Sequence, residues 1–295
     1  MSALHRLVLA ILCIAVQGCR AAPPSTSRAA LVDDFGDSVV IGAPATRIVS
    51  LNPTTTEILF ALGAGPRLVG RTHWDLYPDS ARFVTDLGNG IQPNVEAVLG
   101  VRPDLVVLYG SNDNRDAAAT LRAAGVNTVA LKVDSIAEFG RAVMMLGRLV
   151  GDTVRARAVV DSVDHTLTRV RAATAGLPRR TVFWKIWDTP LLTIGGGSYM
   201  TELVTIAGGR NVYEDIPQPS PQITLEDVVR RDPEFIIAGP VNAAELRSAA
   251  SWRAVPAVRG GRILIVDTTL VGRPSVRLGE AAMHLARLLH PEIRP

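Results

Sequence analysis

From Arg47 onward, short apolar runs alternate along the chain with stretches whose apolar positions recur at helical spacing. The runs predict strands at Arg47–Leu51, Asp104–Leu108, Asn127–Leu131, Thr181–Ile186, Glu234–Ala238 and Arg262–Val266. Each is apolar through its centre, as strands buried on both faces tend to be. The helical stretches are Thr54–Leu62, Arg115–Ala124, Ser198–Ala207, Leu225–Arg231 and Val276–Leu289. This alternation predicts an α/β fold with helices on both faces of largely parallel sheets.

One stretch departs from the alternation. Between Ser135 and Ala175 there is no proline and no strand-like run, while Val143, Leu146, Leu149 and Val150, then Val154, Ala158, Val163, Leu167 and Val170, keep helical spacing. Gly151-Asp152 interrupts the pattern, and Asp152 or Thr153 can cap a helix over Thr153–Thr174. At ~1.5 Å per residue that helix runs on the order of 30 Å, enough to carry the chain from one lobe to another. The expected organisation is an N-terminal α/β lobe over 33–135, a helical segment over 136–176 that includes the interlobe helix, and a C-terminal α/β lobe over 177–295. A faint repeat points the same way: Asn94–Val107 lies without a gap over Thr224–Ile237. Each copy has a capping residue, a glutamate two places on (Glu96, Glu226), a short helix, a proline break and an apolar strand.

Composition narrows the function classes. The chain of 295 residues is 47% hydrophobic and 20% charged, which is ordinary globular material. Its net charge of +3 is too thin and dispersed for a nucleic-acid surface. Both cysteines, Cys13 and Cys19, lie in the first twenty residues, so the folded body has no disulfide, thiolate nucleophile or Cys-ligated metal. His5 and Arg6 precede the apolar run Leu7–Val16, which reads as a signal peptide over 1–18, too short to span a bilayer. Val16-Gln17-Gly18-Cys19 resembles a bacterial lipobox, which would make Cys19 the lipidated first residue of the mature chain; a plain cleaved signal is the alternative. Ala, Pro, Ser, Thr and Arg then form a flexible tether over 19–32. The expectation is a soluble domain outside the cytoplasm, anchored to the membrane by lipid.

Catalytic signatures are weak. Gly63-Ala64-Gly65 follows a helix rather than a strand, and Gly195-Gly196-Gly197-Ser198 has no Lys-Ser/Thr behind it, so both read as turns rather than phosphate loops. Ser198 lacks the hydrolase elbow. No histidine pair has metal-ligand spacing, and His284 and His290 read as surface or C-terminal charges. The large aromatics are more informative. Trp74 and Tyr77 sit in a loop after a strand, while Tyr109 and Trp187 follow strands ending at Leu108 and Ile186. Ligand sites of open α/β sheets lie at strand carboxyl ends, so these rings predict an apolar, π-faced slot. Trp252 reads as core packing.

The stretch Arg47-Ile-Val-Ser-Leu-Asn-Pro-Thr-Thr-Thr-Glu-Ile-Leu-Phe-Ala-Leu-Gly63 resembles the opening of the cobalamin and iron-siderophore substrate-binding proteins of ABC importers. Leu68-Val69-Gly70, Tyr77-Pro78, Arg102–Val106, Ala207–Val212 and Arg273-Pro274-Ser275-Val276-Arg277 match in the same order. The resemblance covers the chain from about residue 33 to the end. It implies the class III periplasmic-binding-protein fold, two Rossmann-like lobes joined by one long backbone helix, in a monomeric receptor that is not an enzyme and has no resident cofactor or metal.

The resemblance also assigns positions. Trp74 and Gly90 fall where cobalamin-binding members carry cleft aromatics, so one of the two rings is kept. Ile186 and Leu192 fall at two further aromatic positions, with Trp187 beside the first, and Ser220 replaces another cleft tryptophan. Arg273 matches a cleft arginine, but its expected acidic partner four residues earlier is Thr269. The expected ligand residues are Trp74, Tyr77, Gly90, Tyr109, Trp187, Tyr199 and Arg273. Glu96 and Glu226 match the pair that docks on the importer's membrane subunits. The transported ligand implied is a cobalamin-type corrinoid, with haem or a ferric siderophore as alternatives in the same class. Trp74, Tyr109, Trp187 and Tyr199 suit a nearly neutral macrocycle better than an anionic siderophore. A secreted metal-dependent hydrolase is the alternative from a different class.

Overall fold

The computed structural model describes residues 31–40 and 42–293. The signal segment, Cys19 and the tether up to Ala30 lie outside the described residues. Leu31–Val32 already form strand β1, paired antiparallel with β2 (Ser38–Val39), so the folded chain includes two residues assigned above to the tether.

The N-terminal sheet takes β3 (Ile48–Ser50), β4 (Leu68–Gly70), β5 (Leu105–Tyr109) and β6 (Asn127–Leu131) in the order β4-β3-β5-β6, all parallel. Between them run α1 (Pro53–Ala61), α2 (Val95–Gly100) and α3 (Arg115–Ala123). Asn52 caps α1, its side chain accepting from the Thr54 amide, with Pro53 at the first position, where a missing N–H costs nothing.

Two helices separate the sheets. α4 (Ile136–Val150) ends at Gly151 in the left-handed conformation, and α5 (Thr153–Thr174) starts on the Asp152 cap. The limits of α5 coincide with those the spacing predicts. Of its 22 residues Ala156, Val163, Leu167, Val170 and Thr174 are buried on one stripe, while Val154 and Ala158, counted above in the apolar pattern, are exposed.

The C-terminal sheet contains β7 (Arg180–Trp187), β8 (Leu192–Thr193), β9 (Gly209–Asn211), β10 (Phe235–Ala238) and β11 (Ile263–Ile265). Its order is β11-β10-β7-β8, with β9 parallel to the first half of β7 and β8 antiparallel to the second half. α6 (Tyr199–Ile206), α7 (Leu225–Arg231), α8 (Pro240–Ser248), α9 (Pro256–Arg259), α10 (Thr268–Val271) and α11 (Leu278–Leu289) complete the lobe. β8 and β9, of two and three residues, are not among the runs read from the sequence.

One apolar cluster runs through both lobes, from Ile48, Ile58 and Val129 through Leu146 and Leu167 to Trp184, Leu203 and Leu285. Separate clusters cover the outer faces, around Val106 and Leu121 in one lobe and Phe183 and Trp252 in the other. Trp252 is buried and stacked on Phe183, as its place in the sequence implies. His290 corrects the surface reading: it is fully buried, with Nε2 3.2 Å from the Gly208 carbonyl oxygen and Nδ1 3.4 Å from Glu292. The α11 C-terminus folds that ring back onto the turn before β9. His284 is partly buried, and its Nε2 is fully enclosed.

The repeat has a backbone signature. Arg102 (φ 48°) and Asp232 (φ 41°) are the non-glycine residues with positive φ among the described residues, and they occupy the same place in the two copies, directly before Pro103 and Pro233. A left-handed residue costs about 1 kcal/mol, so its recurrence marks equivalent helix-to-strand turns.

Candidate functional site: the interlobe cleft

The carboxyl ends of the two sheets are brought together by contacts across the lobes. Arg273 lies beyond β11, and its Nη1 is 3.8 Å from Oε1 of Glu57 on α1. Arg277 of the same segment sits 4.4 Å over the ring of Tyr77, in the loop after β4. Residues that follow the strand ends of one lobe therefore meet those of the other, as a cleft between open α/β sheets requires.

Trp74 is held outward from the β4 loop by a buried anchor. Asp75 is 1% exposed and accepts from Thr56 Oγ1 and Thr72 Oγ1, each at 2.5 Å. Thr72 Oγ1 in turn accepts from the Trp74 amide at 3.2 Å. With the loop pinned, Trp74 is 58% exposed beside His73, ring centroids 4.5 Å apart. On the other lobe Trp187 is the last residue of β7 and 60% exposed, its Nε1 donating to the Thr189 carbonyl at 3.1 Å. Lys185, wholly buried, fastens this strand end to Asp188 at 2.7 Å and to Glu245 at 2.6 Å. The other two tryptophans, Trp184 and Trp252, are buried.

The remaining expected residues have different places. Tyr109 is itself the end of β5, and its hydroxyl donates to Asp134 Oδ1 at 2.8 Å; burial and that carboxylate push the phenol up. Tyr199 donates to the Val271 carbonyl at 2.6 Å, holding α6 against the segment that carries Arg273. Its hydroxyl is committed, and burial pushes its pKa up. Tyr77, with Arg277 over its ring, is 41% exposed. Gly90 contributes no ligand surface: a Cβ there would collide with the Leu51 carbonyl oxygen and lie 2.9 Å from Thr72 Cγ2, and its own carbonyl accepts from Asn114 Nδ2. It is a packing glycine that lets its loop lie against β3. Glu96 and Glu226 are exposed in the first turns of α2 and α7, capped by Asn94 and Thr224. Hydrogen bonding from its own amide and from Thr224 lowers the Glu226 pKa.

Glu57, Asp75 and Lys185 were not predicted from the sequence. Their signal was a charge within an apolar stretch, since Lys185 lies in an otherwise apolar strand and Glu57 precedes Ile-Leu-Phe. Burial pushes the Glu57 carboxyl up against the opposing pull of Ser275, Arg273 and Arg277. Burial raises Asp75 as well, opposed by its two threonine donors. Hollows of about 300 and 380 Å³ lie beside β2 and β6 and along α5; neither is lined by Trp74 or Trp187.

Residues 48–270 match the family model described as periplasmic binding protein. The chain belongs to that family. It is a transport binding protein rather than an enzyme, which removes the hydrolase alternative. An uncharacterized ABC transporter substrate-binding lipoprotein of Bacillus subtilis, YvrC, is 29% identical over 88% of this chain and 85% of its own length. A vitamin B12-binding protein of Vibrio vulnificus is 26% identical over 80% of this chain and 86% of its own. Among solved structures, the periplasmic vitamin B12-binding protein BtuF of Vibrio cholerae superposes with a TM-score of 0.73 at 24% identity, covering 83% of this chain and 97% of that one. A periplasmic haem-binding protein of Pseudomonas aeruginosa gives 0.76 at 25% identity, covering 85% and 95%. The fold is thus that of the class III periplasmic binding proteins. This binding protein is the extracytoplasmic substrate-binding component of an ABC transporter, with a small-molecule ligand and a membrane permease as partners.

Proposed function

We propose that the protein captures a cobalamin-type corrinoid between its lobes and delivers it to the permease as a monomeric lipoprotein anchored through Cys19. The observation that carries this reading is the division of the tryptophans: the two that are exposed stand at carboxyl-end positions, one per lobe, and the other two are core. An exposed indole on each side gives a flat macrocycle two apolar faces to pack against, each worth on the order of 1–3 kcal/mol. The vitamin B12-binding relatives favour the same ligand. Glu96 and Glu226, outward-facing and in equivalent turns, suit two docking points on a two-fold permease.

Haem or a ferric siderophore in the same cleft is the second reading, favoured by the likeness to a haem-binding structure. Titration of the purified domain with cyanocobalamin, haem and a siderophore panel, followed by tryptophan fluorescence, separates the two. The corrinoid should quench at the lowest concentration; preference for haem or a siderophore would replace it as the ligand.

A further inference from the structure

The charges at the cleft do not balance as a lone cleft arginine would lead one to expect. Arg273 keeps 24% of its side chain exposed, but behind it stands Glu57, whose side chain is 1% exposed. Glu57 Oε1 faces the guanidinium at 3.8 Å, and Oε2 is buried without a hydrogen-bond partner. Asp75, also buried, acts on the same arginine. The other cation nearby, Arg277, also acts on Glu57 but carries a carboxylate of its own: its Nε and Nη2 donate to the two Glu280 oxygens at 3.0 and 3.1 Å, and its face is on Tyr77. Two guanidiniums, of Arg273 and Arg277, therefore stand with three carboxylates, of Glu57, Asp75 and Glu280. With the Glu57 carboxylate 3.8 Å from its guanidinium, Arg273 is balanced and supplies no surplus positive charge to a ligand.

We infer that Glu57 sets the ligand class of the cleft by cancelling the charge of Arg273, so that the site takes an uncharged, amide-bearing macrocycle and discriminates against chelates carrying carboxylates or catecholates. The inference rests on the corrinoid reading and gives it a mechanism. Aromatic surface attracts any flat chelate, haem included, so the rings alone do not select among them. The charge of the cleft floor does, because an anionic ligand brought against a balanced floor loses hydration and gains no counter-ion. Glu57 touches the ligand through Arg273 only, which makes it a positioning residue.

The test compares cyanocobalamin with ferric haem and an iron(III) tris-catecholate on wild type, Glu57→Gln and the Glu57→Gln/Arg273→Gln pair, read by tryptophan fluorescence. Glu57→Gln keeps the shape and removes the negative charge. The ratio of anionic-chelate affinity to cobalamin affinity should rise about tenfold or more, and the second substitution should cancel the rise. Higher salt should shrink the gain, since it is a charge effect. If Glu57→Gln fails to fold, Glu57→Asp, which draws the carboxylate back from the guanidinium, should move the ratio in the same direction by a smaller factor. An unchanged ratio in a folded variant, or a rise that survives loss of Arg273, overturns this inference and leaves the corrinoid reading standing. Wild-type protein that binds no corrinoid overturns the corrinoid reading itself.

Discussion

Arg273 of the C-terminal lobe and Glu57 of the N-terminal lobe meet with 3.8 Å between Nη1 and Oε1, although they are 216 positions apart in sequence. The acidic partner expected near Arg273 in the chain, at position 269, is a threonine; the carboxylate is supplied by the other lobe instead. Burial of Glu57, opposed by Arg273, makes stability depend on pH. Burial holds the Glu57 carboxyl above its ordinary value of 4.5, so the folded state binds a proton more readily than the unfolded chain. That contribution is complete below about 4.5 and is lost as pH rises through the raised value. Glu57→Gln should therefore gain thermal stability relative to wild type on going from pH 4 to pH 7.5. Melting curves check this, and a difference that does not change with pH would refute it.

Trp74→Ala and Trp187→Ala should each weaken ligand binding roughly tenfold to a hundredfold, since each removes an exposed indole face worth on the order of 1–3 kcal/mol. Neither should lower the melting temperature appreciably, because both rings are more than half exposed. Calorimetric titration beside a thermal scan reads both. Wild-type affinity in either variant would place the ligand elsewhere.

The lobes should move little on binding. α5 is a continuous helix of 22 residues, and one apolar cluster continues from the N-terminal sheet through α4 and α5 to α11. Bending there would break packed core contacts, unlike a hinge of flexible strands. Small-angle scattering curves with and without ligand should nearly superimpose, and marked compaction would count against the rigid connection.

Glu96→Ala and Glu226→Ala together should reduce complex formation with the permease, and uptake, well beyond either change alone. Exposed carboxylates that meet arginines chiefly set register and association rate, so the effect should weaken as salt rises. Full uptake by the double variant would leave both residues as favourable first-turn carboxylates only.

Cys19→Ala should move the protein from the membrane fraction to the soluble fraction with ligand binding intact, because the residues that line the cleft all lie in the lobes, from Glu57 onward. Fractionation followed by immunoblot reads the outcome, and retention at the membrane would reject lipid anchoring at that residue.

The sequence alone determined what is local. Periodicity set the central strands and the 22-residue helix, because apolar spacing and an aspartate cap are properties of consecutive residues. The repeat set the equivalence of Glu96 and Glu226, and the family pattern pointed to Trp74 as a ligand-facing ring. What sequence left open depends on which residues face each other across the fold. Only the tertiary structure decided that Gly90 lies against Leu51 with no room for a ring, that His290 is core, and that Tyr109 and Tyr199 spend their hydroxyls on Asp134 and Val271. It also decided that Arg273 finds its counter-charge on α1. Hydrogen bonds and ion pairs between lobes join residues far apart in the chain, so no spacing rule along the sequence encodes them, and the charge of the cleft appears only once the two lobes are packed together.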